Sequence, residues 1–470
     1  SNISALIGKN STGKSNVLDL ILTALHKGKR QKIKSDYFLL FQEKNEIKFS
    51  GRIKGDSVKN STLKCLGIEL KKIEPNKNWF SIFYSNVADN RNYLFEDIIS
   101  HDYSFEKIQK SQSNKLEYVS SDDFQITWDR ITNKKENSQI VRFELNPLVF
   151  NRVRTKNNGK NLNGIYKRYH KAIYLESSSN SNKYKYTLTI SLFCYLFEEG
   201  YFLENETNSV RILTNTFAEN ISTLQPKIYH ILKKIPKEKF DSDNLTFSEF
   251  NLFIELIDRF DKTKSRFGLN EKNDSFVIAD YDDDFKAIIK GFITVFDKTD
   301  IIQHDWAELS SGMKAYLSLY SNLFSAAKTI NLNPNKSVIL CIDEGDLYMH
   351  PEWQRNFLND LIKFLQTNFK SEKIQLILTS HSPFLISDLP KECVILLGKD
   401  GVEDRQINEK SSFGANIHQL FSNQFFLSEN GTMGAFAKEK ILNLFNKIPK
   451  TKQTDLTDTE NLIAMVGEPV

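Results

Sequence analysis

Near its start the chain reads Gly8-Lys9-Asn10-Ser11-Thr12-Gly13-Lys14-Ser15, two glycines, a lysine and a hydroxyl at the spacing of a phosphate-binding loop. The glycines let backbone N–H groups curl around a phosphate, Lys14 can bridge two phosphoryl oxygens, and the Ser15 hydroxyl can ligate Mg²⁺. Residues 3–7 before the loop are mostly apolar, and residues 17–22 after it have helical length and spacing, so strand, loop and helix follow in order. The helix start adds its positive dipole end. Gly8, Asn10, Gly13, Lys14, Ser15 and Asn16 are the candidate nucleotide-binding residues.

A second chemical constellation lies far downstream. Ser337-Val338-Ile339-Leu340-Cys341-Ile342-Asp343-Glu344 is an unbroken apolar run ending in two acids, the pattern of a buried parallel strand delivering carboxylates at its C-terminal edge. There Asp343 would hold Mg²⁺ through water and Glu344 would polarise an attacking water. Gln375-Leu376-Ile377-Leu378-Thr379-Ser380-His381 predicts another buried strand, with a histidine at its exit that can reach a γ-phosphate if the two strands are neighbours. Upstream of both, Leu309-Ser310-Ser311-Gly312-Met313-Lys314-Ala315 opens an apolar helix over residues 316–327. Taken alone, Ser-Ser-Gly is a helix N-cap.

In this order, phosphate loop, Leu-Ser-x-Gly, acid strand and strand-borne histidine resemble the ATP-binding-cassette ATPases, including their RecF, SMC and OLD-like branch. The resemblance implies an α/β P-loop head, a mixed sheet with an antiparallel β-lobe. It also implies that Ser310, Ser311 and Gly312 of one subunit cap the γ-phosphate held by another, so the working unit is at least a homodimer with ATP and Mg²⁺ in composite sites. Lys14, Glu344 and His381 are then the catalytic candidates, with Ser15 and Asp343 at the metal.

The interval from Gly8 to Ser310 is far longer than in transporter subunits of this family, which favours the DNA-associated branch with a large insertion. Three further stretches carry a narrower resemblance: Trp306-Ala307-Glu308-Leu309-Ser310-Ser311-Gly312, Asp343-Glu344-Gly345-Asp346-Leu347-Tyr348-Met349-His350-Pro351-Glu352-Trp353-Gln354, and Phe413-Gly414-Ala415-Asn416-Ile417-His418. They are similar to the PtuA ATPase subunits of Septu and retron anti-phage systems. That family implies a nucleotide-gated sensor and scaffold for a separate, PtuB-like HNH nuclease partner, with DNA or a retron reverse transcriptase and its msDNA as further partners. A RecF-like DNA-binding repair ATPase without a nuclease partner is the alternative. Met313 stands where related chains carry Glu or Gln, and the Gln that contacts Mg²⁺ in this family has no placed counterpart, Gln42 after Phe38-Leu39-Leu40-Phe41 being a weak candidate; both departures imply slow or partner-gated hydrolysis.

Positioning these residues takes an ATPase head in two parts, residues 1–95 and 270–470, divided by a mainly helical insertion over 96–269. Residues 35–95 alternate polar and apolar, as in Glu46-Ile47-Lys48-Phe49 and Trp79-Phe80-Ser81-Ile82-Phe83-Tyr84, and predict an antiparallel meander. From about residue 187 to 260 the period turns helical, with Phe217, Ile221, Leu224, Ile228 and Ile231 at three- and four-residue steps. Residues 395–398 predict a last strand and 435–445 an amphipathic helix. No Toprim or HNH constellation occurs in the sequence, so nuclease chemistry would belong to another subunit.

Composition bounds the remaining possibilities. At 470 residues the chain has room for about three domains, and 40% hydrophobic with 12% aromatic residues excludes a disordered chain. Only 19 Gly and 10 Pro argue against collagen-like or turn-dense propeller folds. Net charge is +4, too small to make the whole surface a nucleic-acid magnet. Basic charge is local: Arg152, Arg154, Lys156, Lys160, Lys167, Arg168 and Lys171 occur with no acid among them and with Tyr166, Tyr169 and Tyr174 interleaved. This segment is a candidate nucleic-acid or partner contact. The run Asp280-Tyr281-Asp282-Asp283-Asp284 reads as a solvated helix start rather than a metal cluster. Cys65, Cys194, Cys341 and Cys393 show no C-x-x-C spacing, and apolar runs fall far short of the ~18 residues of a membrane span, so a soluble cytoplasmic protein is expected. The opening Ser1-Asn2 lacks Met, and a natural start is expected upstream.

Overall fold

Successive residues of the apolar runs alternate between two opposite cores. The structure, a computed structural model, describes residues 3–8, 12–25, 37–43, 46–52, 62–65, 68–72, 79–87, 101–104, 112–124, 127, 141–145, 185–186, 188–189, 192–193, 195–196, 199–201, 221–240, 245–259, 267–270, 275–278, 302–306, 309–332, 336–370, 373–398, 411–423 and 433–447. Six strands form its central sheet: Ile3–Gly8 (β1), Trp79–Ser85 (β6), His101–Tyr103 (β7), Ser337–Asp343 (β12), Ile374–Ser380 (β13) and Val394–Leu397 (β14). Their order is β14-β1-β13-β12-β6-β7, and every neighbouring pair is parallel. Ala5, Ile7, Ile82, Tyr84, Leu340, Ile342, Leu376 and Leu378 join the larger core, whereas Leu6, Phe83 and Cys341 join a second cluster. Burial on both faces explains why these strands read as nearly continuous apolar runs.

Helices cover the two faces. Lys14–Leu25 (α1) supplies Leu18 and Leu22, both fully buried, to the cluster of Leu6, Phe83 and Cys341. Their four-residue spacing puts them on one helical stripe, and truncating either to Ala should cost ~2–5 kcal/mol. On the larger core lies Ser311–Ile330 (α5), apolar around most of its circumference and buried accordingly. Gln112–Val119 (α2) packs beside it, with Asn114 Nδ2 donating to Asn322 Oδ1 at 2.9 Å and Lys328 paired with Glu117. Pro351–Asn368 (α6), Pro383–Ser387 (α7) and Ile417–Asn423 (α8) follow β12, β13 and β14 in turn, with Pro351 and Pro383 in the first helical turn where a missing N–H is harmless.

The central sheet corrects the expectation of a mixed sheet with an antiparallel lobe. Trp79–Ser85, which the alternating pattern assigned to an antiparallel meander, instead runs parallel to β12, with Ile82 opposite Leu340 and Ser85 opposite Asp343. Residues 81–85 are all buried, so this strand lacks the exposed face that an antiparallel meander would give it. Antiparallel pairing does occur, in two separate four-stranded sheets. Tyr37–Glu43 (β2), Glu46–Arg52 (β3), Thr62–Cys65 (β4) and Ile68–Lys72 (β5) form one in the order β2-β3-β5-β4, where β3 and β5 are parallel and the other pairs antiparallel. Val141–Leu145 (β8), Phe267–Asn270 (β9), Ser275–Ile278 (β10) and Ile302–Asp305 (β11) form the other, in the order β11-β8-β10-β9.

Ile221–Leu232 (α3) and Phe247–Arg259 (α4) are helical as the three- and four-residue steps predict, with Ile228 and Leu232 buried beside Phe250, Phe253 and Ile257 in the larger core. Phe217 lies outside the described residues. Ala435–Lys447 (α9) forms where an amphipathic helix is expected, and β14 is the expected last strand, at a sheet edge. No helix among the described residues is long and apolar enough to cross a membrane.

Candidate functional site

Parallel strands in one sheet present their C-terminal ends on one edge, and the polar residues of that edge form a row. Ser85, Asp343 and Thr379 are register neighbours across β6, β12 and β13. The Asp343 carboxylate is fully buried; Oδ1 accepts from Thr379 Oγ1 at 2.6 Å and from Ser15 Oγ at 3.0 Å, and Oδ2 accepts from Ser85 Oγ at 3.4 Å. Ser15 sits on the first turn of α1, so this bond ties the phosphate loop to the acid strand. A hydroxyl and a carboxylate converging here are hard oxygen donors of the kind that suit Mg²⁺.

One residue on, the backbone turns sharply. Glu344 has φ 50°, a left-handed conformation that costs a non-glycine residue about 1–3 kcal/mol. Its N–H donates to both the carbonyl and the hydroxyl oxygen of Thr379, at 3.1 and 3.0 Å, which holds the turn in place. Gly345 must remain glycine, because a Cβ there would sit 2.5 Å from Ile342 Cγ2 and 3.2 Å from the Phe357 ring. The Glu344 carboxylate then reaches His381 Nε2 at 3.0 Å and Lys14 Nζ at 3.9 Å. Lys14 Nζ lies 2.8 Å from His381 Nε2 and donates to Gly8 O at 3.2 Å. Lysine, glutamate and histidine, distant in sequence, thus form one cluster at the head of the phosphate loop.

Electrostatics follow from this crowding. Burial lowers the Lys14 ammonium pKa, against the opposing pull of Glu344 and then Asp343. For Glu344, burial by itself would raise the carboxyl, but the His381 hydrogen bond and charge, with Lys14, outweigh it and hold the group below its ordinary value. Glu344 is therefore ionised at neutral pH.

The two described ends of the phosphate loop have the local geometry their glycines predict. Gly13 has φ 86°, Val17 N donates to Gly13 O at 3.0 Å in the first helical bond, and a Cβ on Gly8 would strike Thr12 Oγ1 at 2.5 Å and Leu397 O at 2.8 Å. Asn16 is exposed on the first turn of α1, and Asn10 lies outside the described residues. Ser310 caps α5 by accepting from the Met313 N–H at 3.3 Å, and Gly312 packs so closely on the Tyr348 carbonyl that a Cβ would lie 2.6 Å from it. Among the described contacts, Ser310, Ser311 and Gly312 do not join the Lys14 cluster; Ser310 and Ser311 are exposed. Met313 packs against the core. Gln42 stands in β2, in a different sheet from Asp343. Arg152, Arg154, Lys156, Lys160, Lys167, Arg168 and Lys171, and the acidic run at 280–284, lie outside the described residues. No group of His, Cys, Asp and Glu among the described residues forms a separate metal cluster.

Sequence reasoning missed the supporting polar residues. Thr379 and Ser85 flank Asp343, and Asn86 Nδ2 donates to Gly345 O at 3.1 Å while its Oδ1 accepts from Tyr84 OH at 2.6 Å. Asp346, Ser380, Ser382 and Gln354 form a further buried network. A signal existed: β6, β12 and β13 each change from apolar to polar residues at the carboxyl end, the edge where parallel sheets bind ligands.

A family profile for the AAA ATPase domain matches residues 1–386. Three curated relatives are similar over shorter stretches. Septu protein PtuA of Bacillus mycoides (strain KBAB4) is 25% identical over 201 residues, 38% of this chain and 26% of the relative. The retron Vc95 probable ATPase of Vibrio cholerae serotype O1 biovar El Tor is 26% identical over 278 residues, 53% of this chain and 48% of the relative. The retron Ec83 probable ATPase of Escherichia coli is 30% identical over 166 residues, 33% of this chain and 25% of the relative. The matches thus span about a quarter to a half of the length of these relatives.

Proposed function

Since the chain belongs to the AAA ATPase domain family, we propose that it binds and hydrolyses ATP as the nucleotide-gated subunit of an anti-phage defence complex. One observation carries the ATPase reading: Lys14, Ser15, Asp343, Glu344 and His381 converge at one sheet edge, although the first two are separated from the last three by most of the chain. The names of the relatives, Septu PtuA and two retron ATPases, support the defence setting.

In this mechanism the loop amides from Gly8 to Gly13 and the start of α1 cradle the phosphates, and Lys14 neutralises their charge. A bound Mg²⁺, held from the protein side by Ser15 and Asp343, would neutralise phosphate charge that the loop leaves unmatched. Glu344, kept ionised by His381 and Lys14, takes the proton from the attacking water. His381 donates a hydrogen bond to the departing phosphoryl group and orients the Glu344 carboxylate. The Ser310 and Ser311 hydroxyls, exposed at the start of α5, cap the nucleotide of a second copy in the manner of a cassette-type head, with the buried Gly312 holding that helix start against the Tyr348 carbonyl. The working unit is then at least a dimer, whose geometry is switched by nucleotide and read by a separate HNH nuclease partner. Residues 1–95 and 270–470 supply most of the head in this scheme, with β7 (His101–Tyr103) adding an edge strand to its sheet, and the rest of residues 96–269 the insertion that carries the basic segment.

The test is nucleotide binding by the purified chain and by Lys14→Ala. The variant should bind ATP at least about tenfold more weakly, the loss expected for one or two charge-assisted hydrogen bonds. Equal affinity in the two proteins would overturn the site assignment.

A further inference from the structure

Beside the Lys14 cluster lies a second set of buried polar groups that the proposed chemistry does not touch. Asp346 is two residues beyond Glu344, in the turn that follows β12, and is nearly fully buried. Its Oδ2 accepts from Ser380 Oγ at 2.6 Å, and Ser380 Oγ in turn accepts from the Ser382 N–H at 2.8 Å. Residues 380 and 382 flank His381. A second path closes on the same point: Ser382 Oγ donates to Gln354 Oε1 at 3.1 Å, and Gln354 Nε2 donates to Asp346 O at 3.4 Å.

We infer that Asp346 and Ser380 are a positioning pair for His381, in which the carboxylate orients the Ser380 hydroxyl so that its oxygen fixes the residue after the histidine. The inference rests on the ATPase reading of His381. A serine hydroxyl has one hydrogen and can point it only one way at a time. With Asp346 receiving that hydrogen, a lone pair is left for the Ser382 N–H, and His381 is held between two anchored neighbours. Pro383 adds to the constraint, because the residue before a proline is confined to extended backbone, and Ser382 has φ −90° and ψ 127°. His381 itself is about one-third exposed, so packing alone does not hold its ring at 3.0 Å from Glu344. Burial raises the Asp346 carboxyl to about 6, offset in part by the Ser380 hydrogen bond, and an ionised carboxyl kept here at a cost is consistent with an acceptor the site requires.

The experiment is a double-mutant cycle on the full chain, measuring steady-state phosphate release and ATP affinity for wild type, Ser380→Ala, His381→Ala and the double variant. Ser380→Ala is expected to lower turnover about tenfold by displacing His381, with ATP affinity unchanged. The double variant is expected to be no slower than His381→Ala alone, because Ser380 acts only through the histidine. Losses that multiply in the double variant, or full turnover in Ser380→Ala, would overturn the pairing and leave the His381 assignment standing. Full turnover in His381→Ala would instead overturn that assignment and the pairing with it. Asp346→Ala, which leaves β13 unaltered, must show the same non-additivity if Ser380→Ala disturbs folding.

Discussion

His381 Nε2 lies 3.0 Å from Glu344 Oε1, joining the turn after β12 to the end of the neighbouring strand β13. The same ring nitrogen is 2.8 Å from Lys14 Nζ. One nitrogen cannot donate to the carboxylate and accept from the ammonium at once, so either a protonated Nε2 donates to Glu344 or a bare Nε2 accepts from Lys14. The cluster is therefore one unit in which each charge sets the state of the next.

Removing the charge of Glu344 while keeping its shape tests the base role. Glu344→Gln should retain ATP binding and lose phosphate release by at least about a hundredfold, the usual weight of a general base. ATP-loaded dimers should then accumulate in size-exclusion chromatography. Unchanged phosphate release would remove Glu344 from that role.

Thr379→Val keeps the β-branched shape in the strand and deletes only the hydroxyl. Asp343 Oδ1 loses its shortest hydrogen bond and the Glu344 N–H keeps only the Thr379 carbonyl. A buried acceptor left short should cost about 1–3 kcal/mol in denaturant-unfolding free energy, with a parallel fall in turnover. A variant with wild-type stability would show that the row across the sheet contributes little.

Asp346 gives a pH-dependent prediction of opposite sign to the usual surface carboxylate. Its carboxyl is raised by burial to about 6 from an ordinary 3.8, so the folded chain binds the proton more tightly than the unfolded chain between those values. The stability this confers is fully present below the lower value and lost as pH rises through the upper one. Asp346→Asn, which needs no proton to stay neutral, should exceed wild type by about 2–3 kcal/mol at pH 7.5 and by only about half a kcal/mol at pH 4. A stability gain independent of pH would sink the assignment.

Gly312→Ala tests the start of α5. The new Cβ would meet the Tyr348 carbonyl at 2.6 Å, a backbone atom that cannot swing aside, and relieving the overlap should cost about 1–3 kcal/mol. The helix start should shift away from the turn, so nucleotide-dependent dimerisation should weaken while ATP affinity of the single chain holds. Dimerisation at wild-type strength would separate Gly312 from the subunit interface.

Much of this protein is legible in its sequence because the signals are local. The glycine at the helix end of the phosphate loop, the apolar run ending in Asp343-Glu344 and the Ser310 cap each depend on neighbours a few residues away, and each takes the local form its residues predict. Strand partners are not local. Trp79–Ser85 carries an apolar pattern that serves either kind of sheet, and only the helices and strands packed around it make it a parallel neighbour of β12. The same limit hid Thr379 and Ser85, whose bonds to Asp343 arise from register across three strands that are far apart in the chain. Residue types and short spacings thus determined which groups are present and what chemistry they can do. The order of the strands decided which groups meet, because hydrogen-bond register, not sequence distance, sets what lies beside a carboxylate at a sheet edge.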